Sequence, residues 1–424
     1  MKNVLQYRRS LFTLLIIVLS VFLFTKCVNK ESEKEAVTDT TTNENLNVLP
    51  AEKKFAGSAS CAGCHKDIYN THIHTAHYLT SRSASAKSIM GSFKEGHNTF
   101  AFSQAVSIVM EKKDSSFYQV EYINGTEKKK KRFDVVIGSG TRGQTYLYWE
   151  NNNLFQLPIF YFTGKDEWAN SPGYSGRVIF NRPITSRCLE CHSTYARKLQ
   201  PGEKMPEAFS HVNMVLGVDC EKCHGSAIEH IAFHTKNPKD SIGRFIINPA
   251  KFSRQQKLDM CALCHGGRLS KTKPSFTFEP GDTLANFFTH NTNAPDATSI
   301  DVHGNQYGLL SVSKCFRNSD MTCNNCHSSH ANEKGKTELY SQRCMSCHNT
   351  AHGKICKLTA TEGNVINRRC IDCHMPEQSS RSIIFLEQGK DVPASASMRT
   401  HFITMYPEET KKVLALIKSQ INHK

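Results

Sequence analysis

Cys61-Ala62-Gly63-Cys64-His65 is the first of seven stretches in this chain that share the pattern Cys-x-x-Cys-His. We number these motifs 1 to 7 in chain order. They are Cys61-Cys64-His65, Cys188-Cys191-His192, Cys220-Cys223-His224, Cys261-Cys264-His265, Cys323-Cys326-His327, Cys344-Cys347-His348 and Cys370-Cys373-His374. The motifs use all but three of the 17 cysteines, so one repeated pattern dominates the chemistry of the chain.

The spacing within the motif has a chemical reason. Two cysteines three positions apart can form thioether bonds to the two vinyl groups of haem c, and the adjacent histidine then coordinates the iron. Zinc sites and disulfide bonds also use many cysteines, but neither requires a histidine after the second cysteine in every copy. We therefore predict seven covalently attached haems c. The predicted proximal ligands are His65, His192, His224, His265, His327, His348 and His374.

The remaining 13 histidines outnumber the seven distal ligands that full bis-histidine ligation would need. Methionine is the other common distal ligand of haem c, and the 11 methionines keep it open as an alternative at each site. A histidine just behind a motif cannot easily reach over its own haem, so we expect such residues to bind a neighbouring one. The predicted distal candidates are His77, His230, His303, His330, His401, His97 and His352.

The net charge of +15 and the pI of about 9.1 raise the question of nucleic-acid binding. Four basic residues lie in a probable leader, which leaves +11 for residues 27–424. Seven haems would bring up to about fourteen propionates, so the basic charge balances a cofactor. We expect no nucleic-acid partner. A membrane-embedded bundle is also excluded, because the leader holds the one long apolar run of the sequence.

The N-terminus has the features of an export signal. Residues 1–26 combine a positive start with an apolar run from Leu11 to Phe24, which is short for a membrane span. The next residues resemble a bacterial lipoprotein box with Cys27 as the lipidated residue, and the alternatives are later cleavage or an uncleaved anchor. Residues 27–54 are polar and predict a flexible linker. We expect an exported, lipid-anchored protein in the periplasm or at the cell surface.

The order of motifs predicts an α+β fold, with a haem-packed, mostly helical body and a β-rich insertion between motifs 1 and 2. Its parts are a first haem segment (55–98), a β-rich segment (99–184), a six-haem segment (185–407) and a C-terminal helix (408–424). The strand candidates are Thr99 to Met110, Phe117 to Ile123, Arg132 to Ile137, Gln144 to Trp149 and Leu154 to Phe162. Apolar residues at helical spacing predict that the last helix runs from Pro407 to Asn422.

Two smaller features have alternative interpretations. The basic run from Lys128 to Arg132 is either a solvated hairpin tip or a docking surface for an acidic redox partner. Cys315 and Cys356 lie outside the motifs, and they form either a disulfide bond or two free thiols.

The chain resembles the multihaem cytochrome c superfamily, and within it the cytochrome c-554-like group. Beyond the motifs, the resemblance rests on Ile137-Gly-Ser-Gly-Thr, Tyr146-Leu147-Tyr148, Leu154-Phe155-Gln156-Leu157-Pro158, Ser171-Pro-Gly-Tyr174, Gly217-Val218-Asp219-Cys220, Asn248-Pro-Ala-Lys251, Lys314-Cys315-Phe316-Arg317 and His374-Met375-Pro376. It covers roughly residues 55–407. The resemblance implies closely packed, mostly bis-histidine haems, and it supports His77, His230, His303, His330 and His401 as distal ligands.

These features favour an electron carrier without catalytic residues, because iron held by two histidines can only change its oxidation state. The expected partners are redox proteins, such as a quinol oxidoreductase or other cytochromes. The alternative is an oxidoreductase in which one open-site haem acts on nitrite, hydroxylamine or a sulfur oxyanion. Ammonia-forming nitrite reductases usually carry a lysine in place of one motif histidine, and all seven motifs here end in histidine. A filament subunit is a third interpretation, which the tether at Cys27 disfavours.

Overall fold

The computed structural model describes residues 48–174, 176–289, 296–353 and 355–422. The predicted leader, Cys27 and most of the linker lie outside these residues, as do His290 and His423. The described chain combines helices and sheets, which confirms the mixed α+β class. None of its helices is both long enough and apolar enough to cross a bilayer.

The helices are short, and most of them contain or flank a motif. They are α1 (Lys66–His72), α2 (Ser186–His192), α3 (Cys220–His224), α4 (Ile228–Lys236), α5 (Arg254–His265), α6 (Gln306–Ser311), α7 (Lys314–Arg317), α8 (Thr337–Met345), α9 (Thr359–Glu362), α10 (Cys370–His374) and α11 (Pro407–Asn422). Such short helices cannot be stable alone, so their stability depends on what they pack against.

Most of the strands lie between motifs 1 and 2. They are β1 (Ser81–Ser83), β2 (Thr99–Ala101), β3 (Val106–Lys113), β4 (Ser116–Ile123), β5 (Thr126–Arg132), β6 (Val135–Ile137), β7 (Gly143–Glu150), β8 (Asn153–Gln156), β9 (Ile159–Phe162), β10 (Glu167–Asn170) and β11 (Arg182–Pro183). Strands β2 to β5 form a four-stranded antiparallel sheet in sequence order. The other seven form a second sheet in the order β1-β6-β7-β8-β11, with β9 paired to β7 and β10 to β9.

Three two-stranded sheets complete the β-structure of the described residues. Their strands are β12 (Ser193–Lys198) with β13 (Phe209–Leu216), β14 (Ser270–Lys271) with β15 (Phe288–Thr289), and β16 (Glu377–Phe385) with β17 (Ala394–Arg399). All three pairs are antiparallel. They lie among the haem motifs, where only helices and loops are predicted from the sequence.

Two predicted strands are each divided in the structure. The first, from Thr99, is divided into β2 and β3. The amides of Phe102 and Ser103 both donate to the carbonyl of Val106, which forms a turn between the two strands. The last splits into β8 and β9 around Leu157-Pro158, and a proline cannot donate to a sheet ladder.

The basic run from Lys128 to Arg132 lies within β5, at the edge of the four-stranded sheet, so the hairpin-tip prediction is wrong. Lys130 forms an ion pair with Glu111 at 2.8 Å, and Arg132 forms one with Asp134 at 2.6 Å. A lysine-rich edge strand hinders pairing with a second sheet.

The β-rich segment has its own core between the two larger sheets, and its second core supports motif 2. Tyr146 is fully buried in the first core and donates to the carbonyl of Met90 at 2.9 Å. Leu189, which lies between the two cysteines of motif 2, packs in the second core with Leu147 and Phe209. The sheet therefore fixes the position of a haem-binding turn.

The C-terminal helix α11 covers the range predicted from the sequence and packs on motif 7. Val413 and Ile417 are buried against Ile366 and Cys373. Helix α11 begins at Pro407, a residue that suits the first turn because the amide lost there has no helical partner.

Candidate functional site

A cavity of about 5210 Å³ runs through the body, and both cysteines and the histidine of all seven motifs line it. Ordinary small-molecule sites have volumes of about 300–1,000 Å³. This cavity is therefore large enough for several bound groups, and the residues that line it are those of the motifs.

Each motif adopts a single helical turn. In motif 1 the amide of His65 donates to the carbonyl of Cys61 at 2.8 Å, and the same bond closes motifs 5 and 6 at 2.9 Å. The other four motifs lie in α2, α3, α5 and α10. This turn places two thiols and an imidazole on one side, which is the arrangement that thioether attachment and iron ligation require.

Three of the motif helices, α2, α3 and α5, begin at residues whose side chains cap them. The hydroxyl of Thr185 accepts from the amide of Cys188 at 3.3 Å, and the carboxylate of Asp219 accepts from the amide of Glu221 at 3.0 Å. In α5 the motif lies at the helix end, and Ser253 and Gln256 form a capping box at the start. These local signals explain why such short segments are helical.

Four motif histidines each face a histidine from a distant part of the chain. The ring centroids are 6.4 Å apart for His65 and His230, 6.2 Å for His265 and His77, 6.1 Å for His224 and His330, and 6.1 Å for His327 and His401. A His nitrogen binds a first-row metal at about 2.0–2.1 Å, so two imidazoles on opposite sides of one metal have centroids about 6.3 Å apart. The spacing of all four pairs leaves room for one iron between the rings.

His192 of motif 2 and His303 are electrostatic neighbours. Burial lowers the pKa of His192 to about 4, with a smaller contribution from the charges of His303 and His265. The amide of His303 donates to Asp301 at 3.1 Å, which orders the loop that carries this histidine.

Burial keeps several of these histidines neutral. It lowers the pKa of both His77 and His401 to about 4, with a smaller contribution from neighbouring histidines. A neutral imidazole has a free lone pair, so these side chains are in the form that binds a metal at neutral pH.

Backbone carbonyls hold several of the cavity histidines by Nδ1. His224 donates to Ile247 at 2.9 Å, His230 to Arg244 at 2.7 Å, and His374 to Thr404 at 2.9 Å. A carbonyl oxygen can only accept, so Nδ1 carries the proton and Nε2 remains free for a metal. Such outer contacts fix the tautomer and the ring orientation of metal ligands.

The structure does not bring the other two predicted distal candidates to the cavity. His97 is exposed in a turn before β2, and His352 is exposed in a short 3₁₀ helix. Neither lines the cavity. In the described part of the chain, no histidine ring lies against His374 of motif 7.

His72 is a buried histidine that sequence position did not single out. Its ring lies edge-on to that of His330, with centroids 6.2 Å apart. Its Nδ1 is 3.2 Å from the carbonyl of Ser329, and its Nε2 is 3.3 Å from that of Val218. With carbonyls at both ring nitrogens, His72 supports the segment that carries His330.

Cysteines of different motifs contact one another across the cavity wall. Four pairs of thiols lie close enough to shift each other's pKa: Cys61 with Cys220, Cys191 with Cys264, Cys261 with Cys323, and Cys344 with Cys370. The pairs join motif 1 to 3, 2 to 4, 4 to 5, and 6 to 7. Groups attached at paired motifs are therefore neighbours.

Two carboxylates are buried beside the contact between motifs 1 and 3. Glu221 accepts from the amides of Ala56, Gly57 and Ala227 at 2.8–2.9 Å, so three backbone donors stabilise its charge. Burial is the largest influence on Asp219 and raises its pKa to about 6, and the charge of Glu221 adds to the shift. Neither residue is identifiable from the motif pattern alone, because both lie at variable positions.

Cys315 and Cys356 are the two described cysteines outside the motifs, and they are not joined to each other. Cys315 and Cys356 are both free thiols. The first is an electrostatic neighbour of Cys326 and Cys344, and the second is a neighbour of Cys373. The structure therefore has no disulfide bond between them.

The residues present fit haem c. All seven motifs have the required turn, four motif histidines have a facing histidine ring, and the cavity exceeds the size of one ligand site. Nε2 of His234 is also buried at the cavity without a hydrogen-bond partner. A buried polar group normally has a partner, and a haem carboxylate would supply one there.

Comparisons with known proteins agree with this geometry. A family model described as cytochrome c554 and c-prime matches residues 176–225, which contain motifs 2 and 3. A search of curated proteins found no match. Among solved structures, the chain is similar to that of the outer cell wall cytochrome OcwA, with 17% identity and a TM-score of 0.52. The alignment covers 84% of this chain and 81% of that chain, and at this identity it shows a shared fold. Together the two matches support the resemblance to multihaem cytochromes c.

Proposed function

We propose that this chain is a heptahaem c-type cytochrome that transfers electrons along closely packed, mostly bis-histidine haems in the cell envelope. The observation that carries the proposal is the separation of 6.1–6.4 Å between four pairs of facing histidine rings, each with one member in a Cys-x-x-Cys-His turn. The family match and the fold of the solved neighbour support a haem-based role in electron transfer.

We infer ligands for five of the seven haems from these neighbours. We number the haems as their motifs. The proposed ligand pairs are His65 and His230 for haem 1, His192 and His303 for haem 2, His224 and His330 for haem 3, His265 and His77 for haem 4, and His327 and His401 for haem 5. Haem c would supply an iron that accepts and releases one electron. Two imidazoles would hold each of these five irons and would leave no position for a substrate.

The cysteine contacts suggest the order of the haems. Thiols that shift each other's pKa join motifs 1 and 3, 2 and 4, 4 and 5, and 6 and 7. Electrostatic neighbours close the two gaps, Cys223 with Cys261 between motifs 3 and 4, and Cys326 with Cys344 between motifs 5 and 6. We infer a path 1-3-4-5-6-7, with haem 2 as a branch at haem 4.

A branched path has three ends, at haems 1, 2 and 7. Electrons that enter at one end can leave at either of the others, so the chain can serve more than one redox partner. We propose redox proteins, such as a quinol oxidoreductase or other cytochromes, as those partners.

An oxidoreductase with one open-site haem is the second candidate function. The observation that favours it is the lack of a histidine ring against His374 in the described residues, while Nδ1 of His374 is held by the carbonyl of Thr404 at 2.9 Å. An iron with one protein ligand can bind a small nitrogen or sulfur compound at its free side.

We further propose that the chain is exported and anchored through a lipid on Cys27. The secretory pattern of residues 1–26 supports this location. The similar solved structure is that of an outer cell wall cytochrome, which is also a protein outside the cytoplasm.

Spectroscopy of the purified holoprotein tests the proposal. The pyridine haemochrome assay should give seven haems per chain. EPR of the oxidised protein, and absorption spectra of the reduced protein with and without CO, should show whether every iron is low-spin and saturated. Fewer than seven haems would contradict the central proposal. Seven low-spin haems without a CO shift would support the electron carrier, and one high-spin, CO-binding haem would support the open-site enzyme.

A further inference from the structure

The loop from Arg244 to Ile247 holds one histidine of each of two neighbouring haems. Nδ1 of His230 donates to the carbonyl of Arg244 at 2.7 Å, and Nδ1 of His224 donates to that of Ile247 at 2.9 Å. In the proposed ligand assignment, His230 is the distal ligand of haem 1 and His224 is the proximal ligand of haem 3. Two carbonyls three residues apart therefore orient axial rings on two different irons.

Phe245 gives this loop its shape. Its φ of 55° lies in the left-handed region, where a bulky residue is rare. Phe245 follows directly after the first carbonyl and precedes the second, so its backbone sets the angle between them. Strained backbone of this kind persists only where its surroundings hold it.

Contacts on both sides hold Phe245 in place. Its ring packs against Phe233 of α4, the helix that carries His230, with centroids 5.5 Å apart. On the other side, the amide of Ile247 donates to the carbonyl of His224 at 3.0 Å. Asp240 braces the start of the loop by accepting from the amide of Ile242 at 2.8 Å and from Nε of Arg244 at 3.3 Å.

The rings that this loop holds lie at small angles to their partners. The interplanar angle is 21° for His65 with His230 and 16° for His224 with His330. In the two pairs that the loop does not hold, it is 26° for His327 with His401 and 63° for His77 with His265. Hydrogen bonds to axial histidines and the orientation of their rings tune the potential of the iron.

We propose that Phe245 is a positioning residue whose left-handed backbone aims the carbonyls of Arg244 and Ile247, so that haems 1 and 3 are tuned together. The inference rests on the proposed function, because it takes His224 and His230 as iron ligands. The contact between Cys61 and Cys220 makes the two haems neighbours, so a common support matches their potentials where an electron passes between them.

Two substitutions separate the backbone from the side chain. Phe245→Val introduces a β-branched side chain, which strongly disfavours a positive φ. Phe245→Asn tolerates a positive φ but removes the aromatic contact with Phe233. The readouts are the low-spin EPR signals and the potentials from spectroelectrochemical titration. The variants His230→Ala and His330→Ala identify the signals of haems 1 and 3, because each removes one ligand.

We expect Phe245→Val to shift the signals of haems 1 and 3 and to change the equilibrium constant for reduction of each by about tenfold, or about 59 mV. Phe245→Asn should keep the wild-type spectrum. An unchanged Phe245→Val spectrum, a shift of only one of the two haems, or equal shifts in both variants would overturn the inference.

If Phe245→Val binds fewer haems than the wild type, the Asp240→Ala variant provides the test instead. This substitution removes the contacts of Asp240 with the loop without altering the core. A joint shift of haems 1 and 3 supports the inference, and no shift overturns it. Failure of the proposed function has a different signature, because the wild-type protein itself would then lack low-spin signals from haems 1 and 3.

Discussion

The imidazoles of His65 and His230 lie 6.4 Å apart with their planes 21° apart, although His230 belongs to the helix that follows motif 3. In the proposed ligand set, the motif of a haem and its distal ligand therefore come from different segments. The same relationship holds for every facing histidine pair in the site, so these pairs join distant parts of the chain.

Removal of a distal histidine should open one iron. We expect His230→Ala to convert one of seven haems to a high-spin, CO-binding form, because the ring that faces His65 is lost. The measurement is EPR together with CO difference spectroscopy. His97→Ala is the matched control, since His97 is exposed and does not line the cavity. A fully low-spin His230→Ala protein would exclude His230 as a ligand.

The branched path predicts unequal effects of removing haem 4 and haem 2. Cys261→Ser with Cys264→Ser deletes the junction, and Cys188→Ser with Cys191→Ser deletes the branch, so both proteins should carry six haems. We expect the junction variant to conduct at least about tenfold more slowly through an oriented protein monolayer held at its N-terminus, because electron transfer must bridge the missing haem. Equal rates in the two variants would contradict the proposed order.

Glu221 should contribute to stability through its three backbone donors. A glutamine there would place an NH₂ group against an amide donor of Ala56, Gly57 or Ala227, and an unsatisfied buried group costs about 1–3 kcal/mol. We expect Glu221→Gln to lower the free energy of unfolding in guanidinium by that amount. The control is Glu229→Gln, an exposed position in the first turn of α4. A loss no larger than that of the control would argue against this role.

The buried carboxyl of Asp219 should make stability depend on pH. Its pKa is raised from 3.8 to about 6, so the native state binds more protons than the unfolded state between these values. The contribution of Asp219 to the free energy of unfolding therefore falls as the pH rises from 3.8 to about 6. Above that pH the contribution is constant. Asp219→Asn should remove this component in unfolding experiments from pH 4 to 8, whereas Asp391→Asn at an exposed site should not. Parallel pH profiles for both variants and the wild type would contradict the prediction.

A methyl group at Gly217 should disturb haem 4. A Cβ there would lie 2.3 Å from the carbonyl of Tyr78, and the amide of Val218 bonds the carbonyl of His77 at 2.9 Å. We expect Gly217→Ala to shift the low-spin signal of the haem held by His265 and His77. Gly125→Ala is the matched control, because it has a similar φ and an open surrounding. Identical spectra of the two variants would contradict the prediction, because they would show that the clash at Gly217 does not displace His77.

The proximal half of the site is predictable because the motif is local. A single turn from Cys61 to His65 needs no information from elsewhere in the chain. Four distal candidates, chosen from position and resemblance, face motif histidines in the structure, and His303 is an electrostatic neighbour of His192. His97 and His352 do not, since nothing in their neighbouring residues encodes which histidine the fold buries.

The fold is less predictable where tertiary contacts decide. Strands β12 and β13 form beside the haem motifs through pairing across a long connection, which no local periodicity reveals. The left-handed backbone of Phe245 is equally unpredictable from the sequence, because the local preference of phenylalanine disfavours it. Contacts with Phe233 and with the loop that begins at Asp240 support this conformation. C-terminal helix α11, by contrast, follows from its own apolar spacing.

The pairing of distant histidines has a consequence for maturation under the proposed ligand set. A haem attached to motif 1 would receive its second ligand, His230, only after motif 3 has emerged. For motif 5 the second ligand would be His401, which lies beyond motif 7. Until then each of these irons would have one side open to small molecules.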